Sequence, residues 1–117
     1  MKLRRYFGKL YYHTHDHVDV STLIVRENEI AFALASVTKE HGRWEAESGK
    51  AAVLQVDGSY LAKQVQGMKN GVLAALPWDI AFRIEHEELG EQIELSGEIR
   101  EGGKAYPFEG ELNAKGE

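Results

Sequence analysis

A chain of 117 residues, 43% apolar and 28% charged, suits one globular domain over residues 1–117 and carries enough apolar material for one core. It has no cysteine, which excludes disulfides, thiolate metal sites and a cysteine nucleophile, and its net charge of −5 disfavours binding to phosphate backbones. No apolar stretch approaches the roughly 20 residues that cross a bilayer, and none of signal-peptide length follows the basic start, so the expected setting is cytoplasmic, with neither membrane nor nucleic acid as a partner.

The basic start places Lys2, Arg4, Arg5 and Lys9 within ten residues and no acid among them. The stretch YYHTHDH then sets three histidines within five positions. A strand sends residues i and i+2 to the same side about 6.6 Å apart, so His13 with His15, or His15 with His17, would converge on one metal ion. All three reach one ion only if the chain bends, because His13 and His17 lie roughly 13 Å apart when it is extended. Asp16 or Asp19 would then add an oxygen ligand. The competing reading is a polar turn in water whose imidazoles do nothing. The run is one residue short of the metallo-β-lactamase His-x-His-x-Asp-His, and those enzymes need a fold of about twice this length.

VDVSTLIVRENEIAFALASV divides at Glu27-Asn28 into two strands, although Ile30, Ala33, Leu34 and Val37 also fit a helical face. GRWEAES alternates Trp44, Ala46 and Ser48 with charged residues. AAVLQVDGSYLAKQV reads as two strands joined at Asp57-Gly58, a pair suited to positive φ at both central turn positions. GVLAALPWD is an apolar run that stops before Pro77, either a short strand or one helical turn. Three strands with clear period two follow: Ile80, Phe82 and Ile84 alternate with Ala81, Arg83 and Glu85; Ile93, Leu95, Gly97 and Ile99 with Glu94, Ser96, Glu98 and Arg100; Tyr106, Phe108, Gly110 and Leu112 with Pro107, Glu109 and Glu111. The short connectors EELGE and EGGK suit antiparallel hairpins, and Pro107 belongs at an edge, a strand start or a bulge.

Eight or nine strands, spaced about ten to thirteen residues apart, predict an all-β antiparallel meander closing into a small barrel, with an open two-sheet β-sandwich as the alternative. The last third is acidic where the first residues are basic. Pairing of the first and last strands would set opposite charges side by side.

A meander of this length resembles the calycin group of lipocalins, fatty-acid-binding proteins and avidins. Gly42-Arg43-Trp44 is similar to the lipocalin Gly-x-Trp signature, which in that family opens the first strand, whereas two strands precede it here. The resemblance implies an interior cavity for a small, largely apolar ligand. The inward aromatics Trp44, Tyr60, Phe82, Tyr106 and Phe108 would line such a cavity, with Gln64 and Gln66 on the alternation of Tyr60.

Three functions compete on these grounds. One is a non-catalytic barrel binding a small apolar ligand. The second is an interaction or structural domain, such as a homodimer with Pro77-Trp78 at its contact. The third is a metal protein built on His13, His15 and His17. The serines lack a nucleophile elbow and no acid–base pair stands out, so no catalytic residue is assigned and no cofactor is implied. His41 and His86 are expected to be ordinary surface or rim residues.

Overall fold

The computed structural model describes residues 4–14, 16–38, 42–47, 51–76, 78–85 and 91–114. Among them lie eleven strands and no helix: β1 (Arg4–Tyr12), β2 (His17–Val25), β3 (Glu29–Thr38), β4 (Gly42–Glu47), β5 (Ala52–Leu54), β6 (Tyr60–Ala62), β7 (Gln66–Lys69), β8 (Val72–Ala75), β9 (Asp79–Ile84), β10 (Gln92–Glu101) and β11 (Lys104–Ala114). The described residues therefore include no helix long and apolar enough to cross a membrane. Every pairing is antiparallel.

Eight strands close a ring in the order β1, β2, β3, β5, β6, β9, β10, β11, and β11 returns to β1 with Tyr6 opposite Ala114 and Tyr12 opposite Phe108. The basic first strand thus lies beside the acidic last one, as the charge asymmetry suggests. The fold is the anticipated barrel and not a sandwich. Residues 29–38 form a strand, and their helical periodicity is overruled by ladders on both edges, to β2 on one side and to β4 and β5 on the other. Three strands, not two, precede Gly42-Arg43-Trp44, which widens its distance from the lipocalin signature.

The three strands outside the ring are outboard halves of longer ribbons. β4 and β5 pair with the same edge of β3, and β7 and β8 run on from β6 and β9. Pairing slips by one residue between Val53–Leu61 and Ala46–Gly67, and again between Ala62–Ile80 and Gln66–Ala75. Across the second slip the Val65 N–H donates to the Trp78 carbonyl at 3.1 Å and the Leu76 N–H to the Val65 carbonyl at 2.8 Å. The second slip is a bulge across which these bonds keep the ladder. Read as ribbons, the molecule is an eight-stranded meander with a raised wing of β4, β7 and β8. Gln64, placed by sequence on an inward face, takes a positive φ of 51° in this bulge, and both it and Gln66 are exposed.

Turn chemistry sets the register. Gly102 and Gly103 have φ of 56° and 85°, and Asn70 and Gly71 have φ of 53° and 81°, so both hairpins carry the two positive φ values of a type I′ turn. Asp57-Gly58 differs from expectation: only Gly58 has positive φ (88°), within a wider loop closed by Gln55 N–H to the Ser59 carbonyl at 2.7 Å. Pro107 sits opposite Glu98, one residue before the Tyr12–Phe108 pair that ends the β1 ladder. Its missing N–H therefore faces a position where β1 has already turned away.

Inward side chains from all the ring strands join one core, including Tyr6, Leu10, Leu23, Ile30, Phe32, Ile80, Phe82, Ile93, Ile99, Phe108 and Leu112, each at most 4% exposed. Trp44, Val65, Leu76 and Trp78 extend this core under the wing.

Candidate functional site

Two registered rows run behind and in front of one part of the barrel wall. On the inner side, Tyr12 is opposite Phe108, Phe108 opposite Gly97, Gly97 opposite Phe82, and Phe82 opposite Tyr60. Period two sends all five to the interior. The Tyr12 and Phe108 rings meet edge-on at 5.6 Å, Phe82 and Phe108 lie 6.5 Å apart across Gly97, and Phe32 caps Phe82 at 5.1 Å. Gly97 makes the row fit: a Cβ there would stand 2.7 Å from the Phe108 ring and 2.6 Å from the Ala81 carbonyl oxygen. The Tyr12 hydroxyl is buried and has no hydrogen-bond partner among the described residues. Desolvation, helped by Asp16, pushes its phenol well above the usual tyrosine range.

On the outer side, Arg83 is opposite Ser96, Ser96 opposite Glu109, and Glu109 opposite Tyr11; one row along, Ala81, Glu98 and Pro107 align. The small outward residues Ala81, Ser96 and Pro107, with Gly97 between, leave a trough of about 530 Å³. One wall is the end of β1 with Tyr11, Tyr12 and His13, and the other is the β5–β6 tip with Asp57 and Ser59.

Electrostatics fix the second wall. Arg83 donates to the Asp57 carbonyl at 3.1 Å and its other terminal nitrogen lies 3.7 Å from the Asp57 carboxylate. Asp57 also accepts the Ser59 hydroxyl at 2.6 Å and the Ser59 N–H at 2.9 Å. These two bonds, with Arg83 and Arg100 behind them, hold its carboxyl below the ordinary aspartate range. Arg100 Nε donates to Glu98 at 3.1 Å. The trough therefore offers donors and acceptors of both signs, already paired and oriented, beside the half-exposed ring of Tyr11. A separate hollow that shares Ser96 and Glu109 with the trough is acidic, with Glu94 directly opposite Glu111 and Glu85 accepting the Ser96 hydroxyl at 3.0 Å.

The residues singled out in sequence fall in different places. Phe82 and Phe108 border the trough from behind, their side chains 1% and 2% exposed. Tyr60 shares their row and Tyr106 lies on the same inner face, both partly buried against the core. Trp44 belongs elsewhere: it packs edge-on against Trp78 at 5.2 Å under the wing, and its buried indole nitrogen has no hydrogen-bond partner among the described residues. Trp78 is fully buried and donates to Glu101 at 2.6 Å, with Lys69 6.0 Å from its ring; Pro77 lies outside the described residues.

His13 and His17 flank the β1–β2 hairpin and are both exposed. His13 borders the trough, while His17 faces Tyr11 across the ladder, 3.6 Å from Asp19. His15, His41 and His86 lie outside the described residues, within which no three metal-binding side chains converge on one point. In sequence Asp57 reads as a turn residue, and Arg83, Glu98 and Arg100 as the polar face of strands, so none of the four marks a site. The small residues at outward positions 81, 96 and 107 are visible in the sequence, but their falling side by side depends on register.

No protein-family model matches the chain, and no curated protein matches it in sequence.

Proposed function

We propose that this barrel is a non-catalytic binding protein whose ligand occupies the outer trough, not the interior. The observation that carries the reading is the 530 Å³ trough itself, walled by two hairpins, one of them clamped by Arg83. Its volume lies within the range of small-molecule sites, about 300–1,000 Å³. The interior is a poor alternative, because the inward aromatics pack on one another and on the aliphatic core.

The lining selects the ligand class. Carboxylates and guanidiniums both line it, so an anion meets Asp57, Glu98 and Glu109, and an oily molecule would strip water from paired charges. A small, uncharged molecule with several hydrogen-bonding groups and one flat face suits the lining, the face resting on Tyr11. Asp57 and Glu98, each engaged by an arginine, act as orienting acceptors in this reading.

Amide NMR with a library of neutral fragments tests it. Hits should shift resonances at residues 81–83, 96–98 and 107–109, and Ser96→Trp, which fills the floor, should abolish those shifts while the fold persists. Fragments that bind only elsewhere, or equally well to the Trp variant, would defeat the proposal.

A further inference from the structure

The wing leaves one strand edge open. β9 pairs with β10 as far as Asp79 opposite Arg100, and β10 then turns back at Gly102-Gly103. The outboard half of that ribbon, β8, projects past the turn with β7 as its sole neighbour among the described residues. Lys69 and Val72 flank the Asn70-Gly71 turn and share its hydrogen bonds, so alternation assigns Val72, Ala74 and Leu76 to the β7 side. The Leu76 N–H to Val65 carbonyl bond at 2.8 Å agrees with this phase. Leu73 and Ala75 therefore present N–H and C=O to the open side, where another extended strand can take both from water.

Residues 71–76, GVLAAL, carry no charge, and Val72 and Leu73 are 66% and 80% exposed although neighbouring residues on a strand point to opposite faces. An apolar edge without a charged guard is the form that recruits a matching strand. We infer that β8 pairs antiparallel with β8 of a second copy of this chain, about a two-fold axis through Ala74. Two observations select a second copy. A two-fold axis brings like residues together, and near this axis there is no charge to repel itself. The phase of the free groups also permits a self-pairing that uses all of them: Leu73 bonds Ala75 of the other copy and Ala75 bonds its Leu73, with the two Ala74 residues facing as a non-bonded pair between them. A shift by one residue would set bonded groups against groups already used. So short an edge buries far less than the roughly 800 Å² per partner of a standard interface, so the dimer is weak and concentration-dependent. Two molecules of charge −5 also repel, so added salt strengthens it.

The absence of native cysteine makes the register directly testable. Facing Cα atoms in a non-bonded antiparallel pair lie about 4.5 Å apart, within disulfide reach. Ala74→Cys should give a covalent dimer on mild oxidation. Val72→Cys should not, because its two copies would stand about 13 Å apart along the strands. Sedimentation of the wild type should show the average mass rising from 13.1 kDa toward twice that value with protein and salt concentration, and Leu73→Lys should abolish the rise. A wild type that stays monomeric at about millimolar concentration, a dimer indifferent to Leu73→Lys, or equal cross-linking at 72 and 74 would each overturn the inference. So would a wild type that stays monomeric and instead takes up a foreign apolar peptide at β8. None of these outcomes touches the trough.

Discussion

Replacing Gly97 by alanine probes the aromatic row and the trough floor together. The new methyl would sit 2.6 Å from the Ala81 carbonyl oxygen and 2.7 Å from the Phe108 ring. The carbonyl belongs to a ladder paired on both edges of β9 and cannot turn aside. Nor can the ring, which is 2% exposed and wedged between Tyr12 and Phe82. Such overpacking costs about 1–3 kcal/mol, and two immovable neighbours argue for the upper part of that range. Glycine in a strand is itself worse than alanine by about 0.5–1 kcal/mol, which offsets some of the loss. The expected net is about 2 kcal/mol, or a melting point lower by about 8 °C for a domain of this size. Chemical denaturation at neutral pH reads the free energy directly. Phe108→Leu in the Gly97→Ala background should recover about 1 kcal/mol relative to additivity, since it removes one of the two clashes. A Gly97→Ala protein within about 0.5 kcal/mol of the wild type would refute the packing described for this row.

Two other outcomes follow from buried polar groups. Tyr12→Phe deletes a hydroxyl buried without a partner, so it should be neutral or stabilising by up to about 1 kcal/mol at pH 7. Because burial raises the folded phenol above its ordinary pKa of 10.0, the wild type should lose stability as pH climbs past that value while the unfolded chain ionises; the Phe variant should fall less steeply, and parallel curves would contradict the assignment. Glu101→Ala removes the acceptor of the Trp78 indole and should cost about 1–2 kcal/mol with a change in tryptophan emission, whereas Glu101→Gln should retain most of the stability.

Period two made much of the barrel readable. Ile80, Phe82, Ile84, Ile93, Leu95 and Ile99 alternate in sequence because one face is dry, and that is also why they line the core. The wing was harder to see. Its strands are short, its ladder slips by a residue, and GVLAAL has no polar alternation to mark a strand. Asp57-Gly58 carries the composition of a type I′ turn, yet Asn70-Gly71 is the pair that adopts it. The bond from Ser59 to Asp57 favours a wider loop at the first site, and at the second Asn70 is tied to Arg43 on β4, its N–H donating to the Arg43 carbonyl at 2.7 Å. The trough could not be read at all from alternation. It arises from three small residues on three strands whose juxtaposition depends on register, which no local pattern encodes.

The seam between residues 6 and 114 has a kinetic side. β11, which seals the ring, is made after the ten other described strands, so until it forms β1 and β10 each keep a raw flank. Loop closure across nearly the whole sequence places this barrel among slow folders, with its period of greatest danger from self-adhesion falling just before synthesis of β11 ends.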